Sequence, residues 1–180
     1  MRILCLGDSN TYGYDPRGFG GGRYPADSRW PELLALQTHW DLVNLGENGL
    51  EIPRGFFRIP EDGDWILVML GTNDLLQGAD ADTAAFRMEG FLQQLLQDEK
   101  KPFLIAPPPL KPGAWVPPGS LIAQSAALGS CYRAVASRLG IPFADSSQWN
   151  ISLAYDGVHF TEQGHRDFAR SLAHVLQKGR

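Results

Sequence analysis

The sequence predicts a three-layer α/β fold with a five-stranded parallel sheet, and three observations predict it. Five short runs are nearly continuous in apolar character: residues 2–6 (RILCL), 41–45 (DLVNL), 65–70 (WILVML), 102–106 (PFLIA) and 141–144 (IPFA). That is how strands buried on both faces of a parallel sheet read. Segments with helical spacing of apolar residues lie between them, and turn formers gather where the runs stop. Such alternation implies crossover connections, right-handed by the general rule, within one domain spanning residues 1–180 and without internal repeats.

The first run is stopped by the turn-forming cluster Gly7-Asp8-Ser9-Asn10. The first helix is expected after Ser28, with Pro31 in its opening turn and Trp30, Leu33, Leu34 and Gln37 at helical spacing. The second run ends in Gly46, Asn48 and Gly49, and the third in Gly71-Thr72-Asn73-Asp74. A helix over 80–99 buries Phe91, Leu92, Leu95 and Leu96, and another carries Leu121, Leu128, Tyr132, Val135 and Leu139 up to Gly140. The last helix, 161–177, starts at Thr161 as N-cap and buries Phe168, Leu172, Val175 and Leu176. Two connections are long: 10–27, with Gly18, Gly20, Gly21 and Gly22, and the proline-rich 107–119. Both leave the carboxyl ends of strands, so both can wall a pocket.

The 180 residues, of 19.8 kDa, leave a folded surface of ~8,600 Å² and allow roughly 70% of the extended chain's surface to be buried. Net charge is −4 with a pI near 5.5, and the 16 basic residues are scattered. Such a chain shows no electrostatic footprint for nucleic acid or anionic membranes. Cys5 and Cys131 have neither metal-ligand spacing nor the number for a disulfide framework, and read as two buried apolar side chains. No stretch approaches ~18 apolar residues and no basic, apolar, cleavable leader opens the sequence, so a soluble, cytoplasmic protein is expected.

Chemistry-bearing residues converge by topology. Ser9 follows the first strand, Gly49 the second, Asn73 the third, and Asp156 and His159 the fifth, all at one edge of the sheet. A serine there needs a base, and of the four histidines His159 is best placed; His39, His165 and His174 fall on helical segments and read as surface or core-edge residues. Asp156 can fold back through Gly157 to the other ring nitrogen of His159. The Ser9 N–H, an N–H exposed at Gly49 and the Asn73 amide can serve as oxyanion donors. Equally, Gly49 can merely permit a positive φ and Asn73 can merely cap the next segment. The glycine run 18–23 lacks the Lys-Ser/Thr ending of a phosphate loop and reads as a lip over the pocket. Asp8, Asp156, His159 and His165 lack tight metal-ligand spacing, so no metal is called for.

The four blocks GDSN (7–10), NLGENG (44–49), GTND (71–74) and DGVH (156–159) together resemble those of the SGNH, or GDSL, hydrolases. RILCLGDS, GTND, APPPL and DGVHFTE are most similar to the bacterial arylesterase and acyltransferase branch. The resemblance implies a flavodoxin-like sandwich with Ser9 as nucleophile, His159 as base, Asp156 as its orienting acid and Ser9, Gly49 and Asn73 as the oxyanion hole, without cofactor. Asn10 departs from it, standing where the family's name has Leu, and is expected to alter only pocket polarity. An α/β-hydrolase would instead carry its serine in Gly-x-Ser-x-Gly. A response regulator would want a Lys after the fifth strand, yet no Lys or Arg lies between Gly140 and His165. An FMN carrier would not place Asp8 where phosphate must sit.

The expected activity is hydrolysis of small short-acyl or aryl carboxylic esters through an acyl-enzyme. Acyl transfer to an alcohol or peroxide and carbohydrate O-deacetylation are alternatives on the same site, and a non-enzymatic binding module is the reading from another class. Asn10, Tyr12, Tyr14, Trp115, Trp149 and Tyr155 are expected to line the rim and contact substrate. The partner expected is a small-molecule ester, with homo-oligomers left open.

Overall fold

Parallel pairing organises the molecule, whose computed structural model describes residues 1–18 and 22–178. In chain order the elements are β1 (Arg2–Gly7), α1 (Ser9–Tyr12), β2 (Tyr14–Asp15), β3 (Gly22–Arg23), α2 (Trp30–Thr38), β4 (Asp41–Gly46), β5 (Trp65–Met69), α3 (Thr72–Leu76), α4 (Ala81–Gln97), β6 (Pro102–Ala106), α5 (Ser120–Leu139), β7 (Phe143–Asp145) and α6 (Glu162–Lys178). The five long strands form one parallel sheet ordered β4-β1-β5-β6-β7, the flavodoxin-like arrangement. The chain leaves β1 in one direction to make β4 and returns past it to make β5, so the order reverses at β1.

Side-chain alternation explains the continuous apolar runs. Leu4, Leu6, Ile66, Val68, Leu104 and Ala106 enter one core with α4 and α5, while Ile3, Cys5, Leu67, Met69, Phe103 and Ile105 enter the other with α2 and α6. The three central strands β1, β5 and β6 are therefore apolar along nearly their whole length. The second core is rich in aromatics: Phe168 lies 5.1 Å from Trp30 and 5.3 Å from Phe160, ring centre to ring centre, and all three rings are fully buried. Truncating such a ring costs ~3–5 kcal/mol. The accessible surface, 8552 Å², is that of a tightly folded chain of this mass.

Several expectations are corrected. The segment 10–27 is not structureless: α1 occupies its start, β2 and β3 pair as a small antiparallel hairpin, and a single 3₁₀ turn covers Ala26–Ser28. Residues 19–21, which belong to the expected glycine lip, lie outside the described residues. The crossover from β4 to β5 carries no helix; Leu50, Ile52, Phe57 and Ile59 pack it onto the α4 and α5 core. Cys131 is only partly buried, because its position on α5 turns it toward Asp82, whose carboxylate is 3.6 Å from the sulfur. No helix among the described residues is long and apolar enough to cross a membrane.

Candidate active site at the strand-order reversal

Ser9 stands at the carboxyl end of β1, next to the point where the strand order reverses. Gly7 pairs with Gly46 of β4 on one side and Met69 of β5 on the other. Three chain ends therefore gather around Ser9. A sharp turn leads from β1 into α1: the Asp8 carboxylate accepts the Asn10 backbone N–H (2.9 Å) as N-cap, and Gly13, at φ +88°, ends the helix after four residues. Ser9 occupies the first helical position, where the backbone N–H has no intrahelical acceptor. Burial pushes the Asp8 carboxyl up to about 6, against the pull of the Asn10 N–H, the His159 charge and the Thr72 hydroxyl.

His159 comes from the loop between β7 and α6, which is closed by an antiparallel bridge between Leu153 and Phe160 and by Ala154 N–H donating to the His159 carbonyl at 2.7 Å. Within it Gly157 takes φ +81°, turning the chain so that Asp156 Oδ1 accepts the N–H groups of Val158 (2.9 Å) and His159 (3.0 Å). The other carboxylate oxygen, Oδ2, lies 2.7 Å from His159 Nδ1, and His159 Nε2 lies 3.0 Å from Ser9 Oγ. Hydroxyl, imidazole and carboxylate thus form one continuous hydrogen-bonded line, each residue at most 6% exposed. Burial alone would raise the Asp156 carboxyl, but the His159 ring hydrogen bond, the two backbone donors and the His159 charge outweigh it and hold the group below the usual carboxylate range. It is built to stay ionised.

The other two expected donors lie on the segments that follow β4 and β5. Glu47 to Leu50 form a turn closed by Leu50 N–H to the Glu47 carbonyl (3.3 Å), with Gly49 third in it at φ +76°. A Cβ on Gly49 would touch nothing within 4 Å, so glycine serves its backbone angle there, whereas a Cβ on Gly46 would strike the backbone of Tyr12. That contrast separates the two glycines of NLGENG. Asn73 lies in α3, and its side-chain amide donates to the Leu50 carbonyl at 3.1 Å, tying it to the residue after Gly49. It does not cap: the capping position is Gly71, at φ +118°.

Of the six residues expected at the rim, the structure brings two to the His159 ring. Tyr14 packs its ring 4.5 Å from the His159 ring, and Trp115, 52% exposed, stands nearly perpendicular to that ring at 5.2 Å. Tyr155 donates its hydroxyl to the Pro16 carbonyl (3.1 Å), and Tyr12 lies under the Arg23 guanidinium at 4.2 Å. Trp149, the C-cap of the 3₁₀ turn at Ser146–Gln148, is partly buried and packs against the core, 5.1 Å from the Phe168 ring, instead of lining the rim. Asn10 faces no open pocket either, being 4% exposed with both side-chain polar atoms bonded to backbone. His165, expected at the surface or core edge, is wholly buried; its Nδ1 accepts the Trp30 backbone N–H (3.3 Å) at the start of α2.

The sequence reading missed Asp74. Its buried carboxylate accepts the Ile52 N–H (2.9 Å) and pairs with Arg87 (2.7 Å), locking the Gly49 turn onto α3. The signal was present in the fourth letter of GTND. Also unforeseen was the docking of 107–119 on the Asp156 loop: Lys111 N–H reaches the Gly157 carbonyl (3.1 Å), Ala114 N–H that of Tyr155 (3.0 Å) and Trp115 N–H that of Asp156 (3.1 Å).

A flavodoxin-like sheet with a Ser-His-Asp line at its reversal point has the form of a serine hydrolase. Residues 5–166 match the model of the GDSL-like lipase/acylhydrolase family, and the chain belongs to that family. Among solved structures it is similar to an aryl esterase of M. smegmatis (26% identity, TM-score 0.85, 98% of each chain covered). A carbohydrate acetylesterase family member from Sinorhizobium meliloti is similar at 26% identity, with TM-score 0.84 over 98% of this chain and 97% of that one. It is also 34% identical over 105 residues to thioesterase 1/protease 1/lysophospholipase L1 of Escherichia coli K12, a match of 54% of this chain to 45% of that protein's length.

Proposed function

We propose that this protein is a serine esterase that cleaves small carboxylic esters through an acyl-enzyme. The observation that carries this reading is the unbroken line Ser9 Oγ, His159 Nε2, His159 Nδ1, Asp156 Oδ2, with separations of 3.0 and 2.7 Å at its two hydrogen bonds. Ser9 Oγ attacks the ester carbonyl while its proton passes to His159 Nε2, and Asp156 stabilises the resulting imidazolium. The carbonyl oxygen, now an anion, is received by the N–H groups of Ser9 and Gly49 and the free amide hydrogen of Asn73. Collapse expels the alcohol, which takes the proton from Nε2. Water then enters, gives its proton to the same nitrogen, and releases the acid from Ser9.

The half-exposed Trp115 ring beside the imidazole supports a leaving group with a flat face, aryl or sugar. The names of the M. smegmatis and S. meliloti relatives fit those two classes. Transfer of the acyl group to an alcohol or peroxide uses the same steps with a different acceptor. A cytoplasmic location belongs to this reading and is checked by cell fractionation.

The test is Ser9→Ala. Wild type should hydrolyse p-nitrophenyl acetate and be labelled by an organophosphonate at Ser9, and the variant should fold and do neither. Labelling at another residue overturns the assignment. Added alcohol that diverts acyl groups into a new ester would select the transferase form.

A further inference from the structure

We infer that Asn10 is a positioning residue that holds His159 in line with Ser9, an inference resting on the roles just given to those two residues. The Asn10 side-chain amide donates to the Val158 carbonyl at 3.1 Å, and its oxygen accepts the Phe160 N–H at 2.8 Å. One amide thus grips the backbone on both sides of His159, as a neighbouring strand would. Val158 and Phe160 are buried, at 3% and 0% exposure, so no bulk water stands ready to replace either bond.

The grip also closes a ring. Asn10 is bonded covalently to Ser9, and its side chain holds the two neighbours of His159, whose Nε2 returns to Ser9 Oγ at 3.0 Å. The separation between nucleophile and base is therefore fixed by one side chain 148 to 150 residues away from the positions it holds, 158 and 160. A leucine, the residue in the family's name, can make neither bond. Freed of the clamp, the loop must turn the Val158 carbonyl and Phe160 N–H toward new partners, and His159 moves with them.

The experiment compares wild type with Asn10→Leu and Asn10→Asp. Displacing the base by an ångström or so costs about 10²-fold in rate, so Asn10→Leu should lower kcat by ~10²-fold with KM unchanged, and slow phosphonate labelling of Ser9 by the same factor. Asn10→Asp is nearly isosteric and keeps the acceptor for Phe160 N–H but loses the donor to Val158. It should fall between the other two, and it decides the matter if the leucine variant does not fold. The downfield proton resonance of His159 Nδ1–H, bonded to Asp156, should weaken or shift in both variants. Folded variants with wild-type kcat and an unchanged resonance would show that Asn10 only fills space. A raised KM at unchanged kcat would make it a substrate contact instead. The resonance needs no substrate, so it decides the clamp even if Ser9 proves not to be the nucleophile.

Discussion

Asn73 gives one amide hydrogen to the Leu50 carbonyl at 3.1 Å, and an NH₂ group has a second to give. If that second hydrogen meets the oxyanion, Asn73→Ala should lower kcat by ~10²- to 10³-fold with KM little changed, because the bond strengthens only as charge develops. Measuring kcat, KM and the denaturation midpoint on one preparation checks this; a destabilised variant with full kcat would reduce Asn73 to an anchor for Leu50. At this scale the sequence is most legible where covalent neighbours decide geometry. Asp156 and His159 are three residues apart around a glycine, and the turn brings their side chains together unaided. It is least legible where a side chain's direction depends on distant packing. Trp149 reads as a rim residue and His165 as a surface or core-edge one, whereas Trp149 packs on Phe168 and His165 accepts a hydrogen bond from the start of α2.

Elements show the same division. Long helices and central strands were read to within about two residues, since periodicity and burial on both faces write themselves into sequence. The hairpin of β2 and β3 and the short helices α1 and α3 were not, because elements of two to five residues are held by tertiary contacts instead of their own propensity. The docking of 107–119 against the Asp156 loop depends on two glycines. A Cβ on Gly113 would strike the Asp156 backbone, and one on Gly157, at φ +81°, would strike the Lys111 carbonyl. Gly157→Ala should therefore cost ~1–3 kcal/mol and reduce kcat, since the strained turn carries both Asp156 and His159. Gly140→Ala is the control: it too has a positive φ (+64°), but a Cβ there meets nothing within 4 Å. It should cost ~1–2 kcal/mol with kcat unchanged. Thermal denaturation and steady-state rates on both variants separate strain from collision.

For the whole molecule, two buried groups oppose each other in the pH dependence of stability. Burial, with the nearby Arg29 and His159 charges, lowers His165 to about 3 from an ordinary value of 6.5. Between those values only the unfolded chain takes up that proton, so His165 makes the fold lose stability as pH falls below 6.5. Asp8, raised to about 6, binds its proton in the folded state first, so it makes the fold gain stability as pH falls from 6 toward 4. Each contributes up to about 1.4 kcal/mol per pH unit, and across pH 4–6 they nearly cancel. Replacing His165 with Gln should unmask Asp8. Relative to wild type, His165→Gln should gain about 2–3 kcal/mol on going from pH 6 to pH 4, read from denaturant midpoints at each pH; a parallel pair of curves would refute it.

The hydrogen bond between Ser9 and His159 joins residues 150 positions apart. A ribosome adding ~5–20 residues per second needs roughly 8–30 s to travel from one to the other. Throughout that interval the nascent chain carries the proposed nucleophile without the imidazole proposed to activate it. Any proteolytic product cut between the two positions holds one or the other, never both unless the pieces stay together. On the roles proposed for Ser9 and His159, catalytic competence dates from the meeting of two distant segments, and ester turnover can be used as a clock for that meeting during synthesis or refolding.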